Sequence, residues 1–307
     1  MTPRVLVTGA SGFLGRHVLA CLATRGWHAL ALGRTPPTGL NPTCFLPLPD
    51  AGNASAIRAA VERAQPNAIL HLAGTTTAAS LEDFYRVNTL MAAHLLEAAL
   101  ACNPRPRILL AGTAAEYGPV PLTALPVVED QPCRPQGAYG ITKLAQTLHG
   151  LSAAATGLPV VVARLFNPVG GGMPEHLALG SFAAQIARMG PEGGTLSTGN
   201  LDAERDFVLA EDVARIMLDL VFLPAAAGQV VNLCAGRPTS LRLLTERLIA
   251  ASGRLIRLHT DPSRLGVTNM PRHFGSTARL QSLGLTPPTA DPDRIVASLL
   301  SGLPPTP

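Results

Sequence analysis

Apolar residues arrive in two rhythms along this chain. Unbroken or β-branched runs at Val5–Thr8, His28–Gly33, Phe45–Leu48, Ala68–Ala73, Arg107–Gly112 and Val160–Phe166 predict strands. Their lack of alternation suits a sheet buried on both faces. Between several of them, Phe13–Arg25, Ser55–Gln65, Leu81–Cys102 and Ala138–Ala155 carry apolar positions at helical spacing. Strand and helix repeated in this way predict an α/β fold, a doubly wound parallel sheet with helices on both faces. Arg34–Asn41, with Pro36, Pro37 and Gly39, reads as a loop. Beyond Asn167 the rhythm loosens into short runs, Thr195–Gly199 and Asp206–Leu209, and helical stretches at His176–Met189, Glu211–Phe222 and Leu241–Ala251. This predicts a core domain over 1–167 and a smaller α/β subdomain over 168–307, with some segments returning to the core and a frayed tail at Leu303–Pro307.

Composition narrows the classes. The chain has 307 residues, one large or two modest domains at about 100–200 residues each. Hydrophobic residues make up 47% and charged ones 14%, which excludes a disordered chain. The formal net charge of +4 is spread without blocks of like charge, so nothing predicts binding to nucleic acid or a membrane surface. No apolar stretch reaches the ~18 residues of a membrane span. Met1–Arg4 runs straight into the first strand, with no room for a signal peptide. Cys21, Cys44, Cys102, Cys133 and Cys234 are odd in number and widely spaced, and the histidines do not cluster. Neither a disulfide framework nor a metal site is predicted, and the expectation is a soluble cytoplasmic protein. Basic residues say more: 23 arginines accompany a single lysine, Lys143. The two side chains differ in shape and titration, so the lone lysine marks a position where arginine would not serve.

Val5-Leu-Val-Thr-Gly9-Ala-Ser-Gly12-Phe-Leu-Gly15 is a strand, a glycine turn and a helix start. Gly9 permits the tight turn, Gly12 lets the backbone approach a pyrophosphate, and Gly15 allows close helix–strand packing. The anion then sits on the helix N-terminus. In this context the triplet predicts dinucleotide binding in a Rossmann-type fold, with Ser11, Phe13 and Leu14 in the same turn. An acidic residue closing the second strand would accept from the ribose 2′-hydroxyl of NAD, while an arginine accommodates a 2′-phosphate. Gly33-Arg34 has no carboxylate nearby, which points to NADPH; NADH remains open if Arg34 is an ordinary solvated loop residue. Asp50 either accepts from the adenine amino group or caps the following helix.

Tyr139-Gly-Ile-Thr-Lys143 places an ammonium beside a phenol on one helix face. A nearby positive charge lowers a phenol's pKa and improves it as an acid–base catalyst near neutral pH. Thr113 ends the fifth strand, at the sheet edge where ligands of open α/β sheets bind, and can donate to a substrate carbonyl oxygen.

Together, Gly9-x-x-Gly12-x-x-Gly15, Thr113 and Tyr139-x-x-x-Lys143 resemble the extended short-chain dehydrogenase/reductase superfamily, in the epimerase/dehydratase branch that acts on nucleotide sugars. The likeness runs from the N-terminus to about residue 285. It implies Thr113 as hydrogen-bond donor, Tyr139 as proton donor and cofactor contact, and Lys143 as pKa modulator and ribose ligand. It also implies cofactor contacts from Leu72, Ala73 and Gly74 in His71-Leu-Ala-Gly74 and from Asn88, and substrate contacts from Thr75 and Glu116. Residues 1–167 thereby become the dinucleotide-binding domain and 168–307 mainly the substrate subdomain. In the second half, Ala163-Arg-Leu-Phe-Asn167-Pro-Val-Gly170 is similar to the segment that lays an Asn against the sugar diphosphate. Thr198-Gly-Asn200-Leu-Asp-Ala-Glu-Arg205 resembles the stretch whose Arg clamps the diphosphate, a task suited to bidentate guanidinium. The alternative for Arg205 is a structural salt bridge with Asp206 or Asp212, and Arg164 reads as structural. With Asp261-Pro-Ser-Arg264-Leu the pattern is most similar to GDP-4-keto-6-deoxy-D-mannose reductases.

Departures refine the expectation. Nucleotide-sugar 4,6-dehydratases carry Asp-Glu where this chain has Ala114-Ala115, which disfavours dehydration. Leu265–Met270 departs from the reductase pattern after the Arg264-Leu pair, and Gly171-Gly172-Met173 departs after the Asn167 turn. The leading expectation is NADPH-dependent reduction of the C4 ketone of an NDP-4-keto-6-deoxyhexose, GDP-4-keto-6-deoxymannose favoured. The alternatives are a UDP-hexose 4-epimerase holding NAD and, from another class, a non-catalytic dinucleotide sensor, which the Tyr139/Lys143 pair disfavours. Apolar faces on Leu81–Cys102 and Ala138–Ala155 fit either a homodimer built on a four-helix bundle or burial against the chain's own sheet.

Overall fold

The computed structural model describes residues 2–264 and 270–301. The first part of the chain supplies six parallel strands, β1 (Arg4–Thr8), β2 (His28–Gly33), β3 (Phe45–Pro47), β4 (Ala68–His71), β5 (Arg107–Thr113) and β6 (Val160–Leu165). Between them run α1 (Phe13–Thr24), α2 (Ala54–Ala64), α3 (Leu81–Tyr85), α4 (Met91–Leu100) and α5 (Gly137–Ala155). The remainder builds β7 (Asn167–Val169), α6 (Ala178–Arg188), β8 (Gly194–Thr198), β9 (Glu204–Arg205), β10 (Phe207–Leu209), α7 (Ala210–Phe222), β11 (Val230–Leu233), β12 (Thr239–Ser240) and α8 (Leu241–Ser252). It ends with β13 (Ile256–Thr260), β14 (Arg272–His273), α9 (Ala278–Ser282) and α10 (Pro292–Ser301).

The main sheet has seven strands, in the order β11-β6-β5-β4-β1-β2-β3. Its seventh, β11, pairs parallel with β6, Val230 opposite Val162, and was not legible as a strand. Side chains of one strand serve both faces. Leu109 and Ala111 of β5 pack with Val18 and Leu22 of α1 and with the apolar side of α7. Ile108 and Leu110 pack with α2 and α4. Such double burial explains why these strands show no alternation.

From β1 the chain moves outward to β2, then crosses back to β4 on the other side of β1. The two loops leaving β1 and β4 therefore diverge at the carboxyl edge and open a crevice, where ligands of such sheets bind.

The helix expected over Leu81–Cys102 runs without a gap from Leu81 to Leu100 but widens midway. A wide π turn, Arg86–Leu90, separates α3 from α4. Polar anchoring holds it there: Thr89 donates to the carbonyl of Thr142 at 2.9 Å, and Asn88 donates to the hydroxyl of Thr142 at 3.1 Å.

A second, smaller core gathers Val169, Phe182, Ile186, Leu196, Phe207, Leu244, Leu248 and Ile295 from β7, α6, β8, β10, α8 and α10. Asp206 stitches the short strands here to the main sheet. Its buried carboxylate accepts from the backbone N–H groups of Ala235 (2.7 Å), Gly236 (3.0 Å) and Gly275 (3.3 Å). Burial raises its pKa to about 6, against the pull of those bonds.

Candidate active site

The crevice between the β1 and β4 loops is built by glycine. Gly9 has φ +67°, and a Cβ there would lie 2.7 Å from the backbone N of Ala73. At Gly15 a Cβ would lie 2.2 Å from the carbonyl oxygen of Gly9. Backbone thus packs on backbone where no side chain fits, leaving the start of α1 bare. A cavity of about 470 Å³ opens over it, lined by the whole Gly9–Gly15 turn, Ser11, Phe13 and Leu14 included. Leu72, Ala73 and Gly74 form the opposite lip, and Arg34 and Asp50 lie at the far end. A groove of this shape, with exposed helix N–H groups and a cation at its end, fits a dinucleotide.

Two details differ from the sequence reading. Asp50 does not cap α2; its Oδ1 accepts from Gly52 N at 2.9 Å, and Asn53 caps the helix by accepting from Ala56 N at 2.9 Å. Arg86, which no motif singles out, also lines the cavity and pairs with Asp83. Asn88 stands behind the lip. Its Oδ1 accepts from Thr75 N at 2.7 Å and its amide donates to Thr75 O at 3.0 Å, fixing the backbone of Thr75.

At the end of β5 the Thr113 hydroxyl accepts from Ala115 N at 3.2 Å. Tyr139 is in the first turn of α5, and Lys143 follows one turn later, 4% exposed. Its ammonium donates to Gln146 Oε1 at 2.7 Å, and Gln146 donates in turn to the carbonyl of Ala111 at 3.0 Å. Burial lowers the Lys143 pKa to about 8, with the carboxylate of Glu116 pulling the other way. The expected lowering of the phenol by Lys143 is corrected here. Burial dominates and raises the Tyr139 pKa, the Thr113 hydrogen bond opposes it, and Glu116 adds to the rise. His71, also missed by the motif reading, is fully buried, with Nδ1 2.8 Å from the Thr8 hydroxyl. Burial, then the charge of Lys143, lowers its pKa to about 3, so it stands neutral.

Glu116 is not a substrate contact. It is fully buried, with Oε1 accepting from Thr113 N at 2.8 Å and Oε2 from the Thr147 hydroxyl at 2.8 Å and Arg164 Nε at 2.9 Å. Arg164 is correspondingly structural, its guanidinium 4.6 Å from the centre of the Tyr117 ring.

The other candidate substrate residues lie on the β7–β9 side. Asn167 donates to the Asp206 carbonyl through both its backbone N and its amide, each at 3.0 Å. Arg205 next door is half-buried and, among the described residues, bonds main-chain carbonyls, Glu204 O at 2.9 Å and Pro271 O at 3.5 Å. Neither Asp206 nor Asp212 pairs with it: Asp206 takes backbone donors, and Asp212 lies 3.7 Å from Arg215. Across the small sheet Arg205 stands opposite Thr239 on one side and His273 on the other. The buried His273 ring stacks on Phe166, centroids 5.4 Å apart. Asn200 is exposed and folds its Oδ1 onto Asp202 N at 2.8 Å. The exposed Arg264 donates to Ser181 at 3.2 Å. The backbone carbonyl of Arg264 would be 2.4 Å from a Cβ at Gly199, so the two loops touch. Of the departure at Leu265–Met270, residues 265–269 lie outside the described residues.

Comparison with known proteins bears on this geometry. The model of the NAD dependent epimerase/dehydratase family matches residues 5–234. The chain belongs to this family. It is a nicotinamide-dinucleotide-dependent enzyme of the extended short-chain dehydrogenase/reductase type that modifies nucleotide sugars. It is 32% identical to GDP-6-deoxy-D-mannose reductase of Pseudomonas aeruginosa over 91% of this chain and 90% of that one. It is 34% identical to dTDP-6-deoxy-L-talose 4-dehydrogenase (NAD(P)(+)) of Kitasatospora kifunensis, over 92% and 91% of the two chains. UDP-glucose 4-epimerase of Azospirillum brasilense is 28% identical over 98% and 92%. The structure of RMD from Pseudomonas aeruginosa complexed with NADPH superposes with a TM-score of 0.82, at 28% identity over 99% of this chain and 98% of that one. Among the described residues of the family member, no helix is long and apolar enough to cross a membrane, and no cluster of His, Cys, Asp and Glu could hold a metal ion.

Proposed function

We propose that the protein reduces the C4 ketone of an NDP-4-keto-6-deoxyhexose with NADPH, GDP-4-keto-6-deoxymannose being the favoured substrate. The observation that carries this reading is the placement of Thr113 at the end of β5 and Tyr139 in the first turn of α5, with the Lys143 ammonium buried one turn behind and against Gly74 at the lip of the dinucleotide cavity. Backbone N–H groups of the Gly9–Gly15 turn would hold the pyrophosphate, Arg34 the 2′-phosphate and Lys143 the ribose of the nicotinamide half. The bound cofactor supplies the hydride. Thr113 polarises the carbonyl by donating to its oxygen, and Tyr139 gives its proton to the same oxygen as negative charge develops there. The phenol is protonated near neutral pH, so the proton it would give is in place. Asn167, Arg205, Asn200, Arg264 and Thr75 would form the nucleotide-sugar side, Arg205 being a half-buried cation whose partners among the described residues are main-chain carbonyls. The likeness to a GDP-6-deoxy-D-mannose reductase and a dTDP-6-deoxy-L-talose 4-dehydrogenase supports this choice of substrate.

The competing reading, an epimerase that keeps NAD and re-reduces the same carbon, has support from the epimerases among the relatives. Against it stands Arg34, a cation suited to a 2′-phosphate, at the end of the cavity that Asp50 also lines. NADPH consumption measured with GDP-4-keto-6-deoxymannose, and with the dTDP and UDP 4-keto-6-deoxyglucose analogues, decides between them. Turnover with one substrate is expected. No turnover with any, together with NAD retained through purification, overturns the proposal in favour of the epimerase.

A further inference from the structure

We infer that Glu116 is the positioning residue of the reacting centre: its buried carboxylate holds Thr113 and the Tyr139–Lys143 helix in one fixed arrangement. The inference rests on the proposed roles of those three residues, and it explains a costly feature. A carboxylate with no solvent exposure survives in a fold only when its oxygens are paired.

Those of Glu116 are paired to three different elements. Oε1 accepts from the backbone N of Thr113 while the Thr113 hydroxyl accepts from Ala115 N, so the turn is closed reciprocally from both ends. That closure sets the direction of the Thr113 side chain. Oε2 accepts from Thr147, which follows Lys143 by four residues on α5 and therefore shares its face. The same oxygen accepts from Arg164 of β6, anchoring the carboxylate to the sheet. Space is made for it by Gly112, where a Cβ would lie 2.7 Å from Oε1. One side chain thus ties the strand end that carries the hydrogen-bond donor to the helix that carries the acid and the ammonium.

Its charge reaches the same groups. Packed around Glu116 and Lys143 are Tyr117 on the Glu116 turn, Cys133 on the following segment, Tyr139 on α5, Arg164 on β6 and His71 on β4. His71 is neutral, so Glu116 is the anion facing two buried cations, Lys143 and Arg164. Removing its charge leaves Lys143 to lose its proton at lower pH.

The test compares the pH dependence of NADPH binding, which needs no sugar substrate, in wild type and in the near-isosteric Glu116→Gln. In the wild type affinity falls as pH rises through about 8, where Lys143 loses its charge. In Glu116→Gln the fall comes at lower pH, and kcat on the keto sugar drops roughly tenfold or more with KM little changed, because misplacement of the acid costs turnover rather than binding. A variant with the wild-type pH limb and wild-type kcat overturns the inference. Should Glu116→Gln fail to fold, Thr147→Val keeps the Arg164 pair and removes only the tie to α5. A several-fold loss of kcat supports the inference and an unchanged kcat overturns it. Failure of the substrate reading has a different signature: no turnover with any keto sugar, while the pH limb of cofactor binding still moves in Glu116→Gln.

Discussion

At the scale of single side chains, the chemistry is divided by position and by charge. In the proposed reaction Tyr139 carries the transferable proton, and Thr113 stands at the end of the neighbouring strand. Replacing Tyr139 by Phe removes the acid while leaving the ring's packing, so kcat is expected to fall by about 10²–10⁴-fold. NADPH affinity should change little, because the cavity lining lies elsewhere. Stopped turnover with intact cofactor binding, read by fluorescence titration, is the expected result; unchanged turnover would remove Tyr139 from the mechanism. Arg34 tests cofactor choice separately. It is exposed at the cavity's end, where a charge-assisted hydrogen bond to phosphate is partly screened. Arg34→Ser is expected to raise the KM for NADPH by about tenfold, the low end for a bond to a charged group, with the KM for NADH nearly unmoved. A parallel rise for both cofactors would show that Arg34 does not meet the 2′-phosphate.

At the scale of elements, the tightest joint is the turn between β1 and α1. Gly15→Ala puts a methyl 2.2 Å from Gly9 O and 2.6 Å from Ala10 Cα, backbone atoms that cannot swing aside. Overpacking of this kind costs about 1–3 kcal/mol and displaces the start of α1. A lowered Tm is expected, and with it the loss of most of the stabilisation that NADPH confers. Gly33→Ala, where an added methyl meets nothing, is the control that should leave Tm in place. This joint was legible in the sequence, because glycine at fixed spacing between an apolar run and a helix has few other uses. So were the positions of Thr113 at a strand end and of Tyr139 and Lys143 on one helix, whose types and spacing suggest the chemistry proposed for them. What escaped has physical reasons. β11 is four residues long with a polar Asn232 in its middle, and only its seat beside β6 makes it a strand. The π turn is invisible because the apolar spacing runs through it. The network around Glu116 escaped because its partners Thr147 and Arg164 stand 31 and 48 residues away. Pairing at such distance leaves no local pattern.

At the scale of the whole molecule, α5 presents an inverted helix. Its sheet-facing side buries Thr142, Lys143, Gln146 and Thr147, the polar machinery just described. Its outer side exposes Ile141 (43%) and Leu148 (58%), and the adjoining α3 and π turn add Leu81 (61%), Tyr85 (38%) and Leu90 (44%). A helix at a water-facing surface shows the opposite distribution, and neighbouring apolar side chains of this size mark a surface that is covered in use. The homodimer anticipated from the apolar faces is therefore expected to form here, α3, α4 and α5 of one protomer meeting those of its partner around a two-fold axis. Light scattering behind a sizing column should give twice the chain mass for the wild type. Leu148→Glu, which places two charges near each other across that axis, should give the monomer. The monomer should still bind NADPH, because the Gly9–Gly15 turn, Arg34 and Lys143 all belong to one chain and Leu148 points away from them. A wild type that runs as a monomer would remove the dimer, and would leave the exposed leucines of α3 and α5 to a different partner. A Leu148→Glu monomer that loses NADPH would instead mean that the subunit contact holds α5, and hence Lys143, in place.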